Sequence, residues 1–139
     1  MKKIFLIIIA TLSIIETSFS QIKITNATCQ KTFGGMGGIF KQYVIDFKNK
    51  KNANVEMDSV KSIADTMKIN CSFNKNENGS YKISFRQSLK SPKKCKTCPD
   101  VSPKQTNLTK GVVVYYRRGE KKSFFKVTKF KQLPDIYAP

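Results

Sequence analysis

The tightest constraint in this sequence is the stretch from Lys110 to Lys131, where two apolar runs are joined by the polar tip Arg117-Arg118-Gly119-Glu120. Val112, Val113, Val114, Tyr115 and Tyr116 are β-branched or aromatic. Phe124, Phe125, Val127 and Phe130 answer them beyond the tip, so both arms suit a pleated surface. Gly119 supplies the positive φ that a short hairpin loop demands. The segment therefore predicts a β-hairpin. Five consecutive apolar residues without polar alternation further predict a strand covered on both faces, at the centre of a sheet.

The upstream chain supplies partners for it. Ile22-Lys-Ile24-Thr opens a first strand running toward Cys29 and Phe33, and Gly34-Gly-Met-Gly-Gly38 breaks it. A phosphate cradle needs a helix N-terminus after its glycines. These glycines lead instead into a strand, with Ile39, Tyr43, Ile45 and Phe47 on one parity, and so read as a bend. Lys48 to Asn54 is a polar turn, and Val55 and Met57 share a face ahead of a bend near Lys61-Ser62. From Met67 to Phe73 the alternation is clean, with Met67, Ile69, Cys71 and Phe73 inward and Lys68, Asn70 and Ser72 outward. Asn78-Gly79 is a strong hairpin signal, pairing strands near 69–75 and 80–87 antiparallel. Pro92, Pro99 and Pro103 mark residues 89–110 as a long exposed loop, and Pro134 stops the last strand and leaves the tail on the surface. About seven short strands without a helical period predict an all-β, antiparallel immunoglobulin-like β-sandwich, with a small β-barrel as the alternative.

Residues 1–20 read as a signal peptide: Lys2 and Lys3, an apolar core from Ile4 to Ile15, and a small-x-small site at Ser18-Phe19-Ser20 that predicts cleavage before Gln21. Glu16 interrupts the core short of the roughly 20 residues that a membrane span needs, and no second such segment follows. The expectation is one secreted or periplasmic domain over residues 21–139. The formal net charge of the whole chain is +17. Such a surface attracts anionic polysaccharide, lipopolysaccharide or an acidic envelope protein, or is simply a lysine-rich solvated coat. Arginine, whose fork binds carboxylate and phosphate bidentately, occurs only at positions 86, 117 and 118. With Lys121 and Lys122 at the hairpin tip, Arg86, Arg117 and Arg118 are the candidate anion contacts.

Through Tyr43-Val-Ile-Asp-Phe47, Met57-Asp-Ser-Val60 and the closing Lys110-Gly-Val-Val-Val-Tyr-Tyr116 with Phe125-Lys-Val-Thr-Lys-Phe-Lys-Gln-Leu-Pro134, the chain resembles the small secreted β-sandwich proteins of unknown function found in Gram-negative bacteria. The resemblance implies export and a sandwich fold. It supplies no activity and no site residue.

Catalytic chemistry is hard to find. Histidine is absent, which removes Ser-His and Cys-His nucleophile activation, and the carboxylates are scattered. Cys95-Lys-Thr-Cys98 has the spacing of a thiol-disulfide site, the alternative function, but it lies among prolines rather than at a helix start. A single CxxC with Cys29 and Cys71 standing alone makes a poor zinc set, so no metal or cofactor is expected. Four cysteines in an exported chain predict disulfides, Cys29 with Cys71 clamping strands and Cys95 with Cys98 tightening the loop, although four cysteines allow three pairings. The sequence thus reads as a non-enzymatic module.

Overall fold

The computed structural model describes residues 22–35, 38–50, 54–90 (Lys90 by its backbone only) and 106–139. The leader, most of the proline-rich loop and both Cys95 and Cys98 lie outside the described residues. Among the described residues ten strands form two sheets packed face to face, a β-sandwich. β1 (Ile22–Phe33), β2 (Ile39–Asn49), β6 (Ser80–Lys90) and β5 (Ser72–Lys75) lie in that order in the larger sheet. β9 (Lys131–Gln132) and β10 (Ile136–Tyr137) run along the outer edge of β1. The smaller sheet has the order β4 (Lys68–Ile69), β3 (Glu56–Ser62), β7 (Val112–Arg118), β8 (Lys121–Val127). No ladder joins the two sheets among the described residues, so the barrel alternative is not formed.

Parity builds the core. Tyr43, Ile45 and Phe47 on β2 and Tyr81, Ile83 and Phe85 on β6 point from the larger sheet toward Val60 on β3, Val112, Val114 and Tyr116 on β7, and Phe125 and Val127 on β8. Ile45, Ile83, Val60, Val112 and Val114 are wholly inaccessible, each such burial contributing about 1.5–3 kcal/mol. Phe47 is the hub of an aromatic cluster, stacked on Tyr81 at 5.3 Å and tilted against Phe125 at 5.1 Å. The Tyr81 hydroxyl accepts a hydrogen bond from the Val55 amide (3.1 Å), which fixes the approach to β3.

The hairpin forms with Arg118 opposite Lys121 and Gly119 at φ 59°, but three expectations attached to it are corrected. β7 is an inner strand, whereas β8 is the edge of the smaller sheet. The outer face has no covering strand among the described residues: Val113 is buried, but Tyr115 is 36% and Phe124 54% exposed, with the Lys61 ammonium over the Tyr115 ring. And β8 stops at Val127, so that Phe130 leaves the hairpin and packs edge-on against Tyr43 of the other sheet at 5.1 Å.

Met67 to Phe73 is likewise two strands rather than one. β4 pairs with β3 in the smaller sheet, and after Asn70-Cys71 the chain crosses to pair β5 with β6 in the larger. Inward and outward parity survive the crossing, because both sheets face the same core. The Asn78-Gly79 hairpin forms, with Gly79 at φ 76° and the Asn78 side chain accepting from the Ser80 amide (3.0 Å). The glycine bend joins β1 to β2, closed by Gly34 N–H donating to Gly38 O (2.7 Å). The tail does more than lie on the surface. It crosses back to the larger sheet and pairs parallel with β1, Thr28 and Cys29 opposite Lys131 and Gln132, and Thr32 and Phe33 opposite Ile136 and Tyr137.

Candidate functional site

The five expected anion contacts do not form one patch. Arg86 is on the outer face of the larger sheet with its guanidinium over the Phe40 ring, 4.9 Å from the centroid. Arg117, Arg118, Lys121 and Lys122 cluster at the hairpin tip of the other sheet. There Arg117 is already engaged, with Asp58 at 2.9 Å and Glu56 at 3.3 Å. A bulge between Met57 and Ser59 turns Asp58 toward the arginine, something sequence spacing could not show.

The site that composition missed lies one step away, on the outer face of the smaller sheet. In register, Lys68 on β4 faces Lys61 on β3, Lys61 faces Val113 on β7, and Val113 faces Lys126 on β8. Three lysines thus lie in one line across four strands, a span of about 14 Å at ordinary strand spacing. None has a carboxylate within ion-pair distance among the described residues. Like charges directly opposite, as at Lys61 and Lys68, destabilise a sheet unless an anion lies between them. On the neighbouring rung Tyr115 faces Phe124, ring centroids 5.9 Å apart, with the Lys61 ammonium 5.5 Å from the Tyr115 centroid. A shallow depression of about 400 Å³ lies here, lined by Lys61, Thr66, Val113, Tyr115, Phe124 and Lys126. Sequence spacing contained only a fragment of the signal, Lys122 and Lys126 at alternate positions around Phe124; Lys61 and Lys68 join it only through the register.

The rim of this depression is held under strain. Thr66 has φ 57°, a left-handed conformation costly for a β-branched residue, about 1–3 kcal/mol. Ser62 O accepts from the Thr66 amide (3.0 Å), and the Asp65 carboxylate accepts from the Met67 amide (3.1 Å) and the Asn107 amide (2.7 Å). The Asn107 amide above all holds the Asp65 carboxyl below its ordinary pKa, burial opposes it, and the Met67 amide and Ser62 hydroxyl pull it further down.

The expected Cys29–Cys71 disulfide is corrected: both are free thiols. Cys29 faces Tyr43, Tyr43 faces Phe85, and Ser72 faces Ser84, so the two cysteines sit on one rung at opposite sides of the larger sheet with β2 and β6 between them. That separation is about 14 Å, whereas a disulfide tolerates Cα atoms at most about 7 Å apart. Each thiol has another neighbour, Cys29 Sγ donating to Gln132 Oε1 at 3.0 Å and Cys71 Sγ lying 3.8 Å from Met57 Sδ. Burial pushes the Cys71 thiol up, with Lys68 pulling the other way, which disfavours a reactive thiolate. Burial, and then the Cys29 thiol, raise the Tyr43 hydroxyl.

No group of three metal-binding side chains occurs among the described residues, and no helix there is long and apolar enough to cross a membrane. No protein-family model, curated protein or solved structure matches this chain.

Proposed function

We propose that the chain is an exported, non-enzymatic β-sandwich module of immunoglobulin-like type that holds an acidic polysaccharide of the cell envelope against the outer face of its smaller sheet. The observation that carries this reading is the unpaired lysine line Lys68, Lys61 and Lys126 beside the exposed Tyr115–Phe124 pair. Ammonium groups supply charge at intervals along a polyanion, and the two rings offer flat apolar surface to its sugars. A solvated lysine coat needs no such alignment. The immunoglobulin-like type is supported by the order β1-β2-β6-β5 against β3-β7-β8, the four-against-three arrangement of constant-type domains, with β4 added beside β3. Export is supported by the leader-like residues 1–20. The thiol–disulfide alternative rests on Cys95 and Cys98, outside the described residues, and no observation favours it.

Binding to immobilised alginate, with neutral dextran as control, tests the proposal. Lys61→Gln with Lys126→Gln is expected to weaken binding at least about tenfold at low salt and to flatten its salt dependence. Tyr115→Ala with Phe124→Ala weakens binding with the salt dependence retained, and Arg117→Gln changes little because Glu56 and Asp58 already occupy that guanidinium. Equal retention on dextran, or lysine variants that bind like the wild type, would remove the reading.

A further inference from the structure

The opposite face of the sandwich carries a second and differently built depression, of about 570 Å³, where β5 begins beside β6. It is lined by Gln42, Asn70, Ser72, Ser84 and Arg86, with Cys71 at its side, and no lysine takes part. The Arg86 guanidinium lies over the Phe40 ring, and no carboxylate pairs with it among the described residues. Gln42 stands directly opposite Arg86 in the β2–β6 register. The side-chain amides of Gln42 and Asn70 make no hydrogen bond among the described residues, so donors and acceptors of both remain for a ligand. The Ser72 and Ser84 hydroxyls share one bond of 2.6 Å and keep lone pairs to spare.

One planar cation, two free amides and two hydroxyls are the complement of a single carboxylate surrounded by hydroxyl groups. A guanidinium matches a carboxylate edge to edge through two parallel N–H···O bonds. A phosphate monoester, with a charge near −2, would leave about half its charge unmatched by a lone arginine. We infer that this depression binds a hexuronate residue, the carboxylate on Arg86 and the ring hydroxyls on Gln42, Asn70, Ser72 and Ser84. It lies on the other sheet from the lysine line and does not depend on it.

Cys71 makes the site readable. In the purified chain, trigalacturonate is expected to slow the alkylation of Cys71, followed peptide by peptide, at least threefold, and to shift the side-chain amide resonances of Gln42 and Asn70. A neutral galactose trisaccharide and inorganic phosphate should do neither. Arg86→Gln abolishes both effects and Arg86→Lys does not restore them, because a point charge lacks the fork. Tyr115→Ala with Phe124→Ala leaves both effects intact, so failure of the lysine-face proposal and failure of this one are told apart. Absence of both effects, equal effects from the neutral sugar or from phosphate, or effects that persist in Arg86→Gln would overturn the assignment.

Discussion

Gly111 shows how much a single position can carry. It has φ 92°, and a Cβ there would overlap the Val127 carbonyl oxygen and come within 2.8 Å of Thr128 Cα, backbone that cannot swing aside. Gly111→Ala is therefore expected to cost about 3 kcal/mol or more. The urea midpoint checks it against Gly38→Ala, where a Cβ meets nothing within 4 Å. Asp65 sets a pH dependence. Its folded-state pKa is depressed, chiefly by the Asn107 amide, so its contribution is present above the unfolded value, near pH 4, and is lost as pH falls through the lower folded value. Wild type should thus lose more stability than Asp65→Asn between about pH 5 and pH 3; parallel losses in chemical denaturation would show that the carboxylate holds nothing. At this scale the sequence was legible for inward-facing residues such as Ile45 and Ile83, whose parity decides their burial. It was opaque for Arg117, whose charge is matched by Glu56 and Asp58 from a strand some sixty positions away.

Among the elements, those with local signals were readable. Gly119 and Asn78-Gly79 mark two hairpins because turn geometry makes its own demand on φ. The crossing at Asn70-Cys71 was hidden for a physical reason: a chain that changes sheets within a sandwich keeps the same faces inward, so its alternation never breaks. β9 and β10 were hidden for another. Two-residue strands carry no pattern of their own and exist only because the β1 edge offers free amides and carbonyls, taken up by Leu133 N–H to Cys29 O (2.8 Å) and Ala138 N–H to Phe33 O (2.9 Å). What anchors this closing segment is Phe130 on Tyr43 rather than its exposed end. Phe130→Ala is expected to lower stability by about 2 kcal/mol, and Tyr137→Ala, whose ring is 74% exposed although stacked on Phe33, by well under about 1 kcal/mol. Thermal unfolding of the two variants measures this, and equal losses would refute the anchoring role.

At the level of the whole molecule, the all-β class and its two-sheet form arise from many short alternating strands, none of which need be placed correctly for the sum to be right. The proposed binding faces were not legible in the same way, because a face is made of residues distant in sequence, as Lys61, Lys68 and Lys126 are. The expected Cys29–Cys71 bridge failed for the same reason: the inward parity read for Cys71 was right and Cys29 does lie within the first strand, but neither says how many strands lie between them. A non-reducing peptide map is accordingly expected to contain no Cys29–Cys71 cross-link, and finding one would contradict the β1-β2-β6-β5 order. The parallel pairing of β9 and β10 with β1 has a mechanical consequence. When Ile22 and Pro139 are pulled apart, β1 is drawn one way and its parallel neighbours the other, so their hydrogen bonds are loaded lengthwise and together. The β7–β8 hairpin, drawn from its open end, would instead part rung by rung. A tether held at those two positions thus transmits tension through a shear joint.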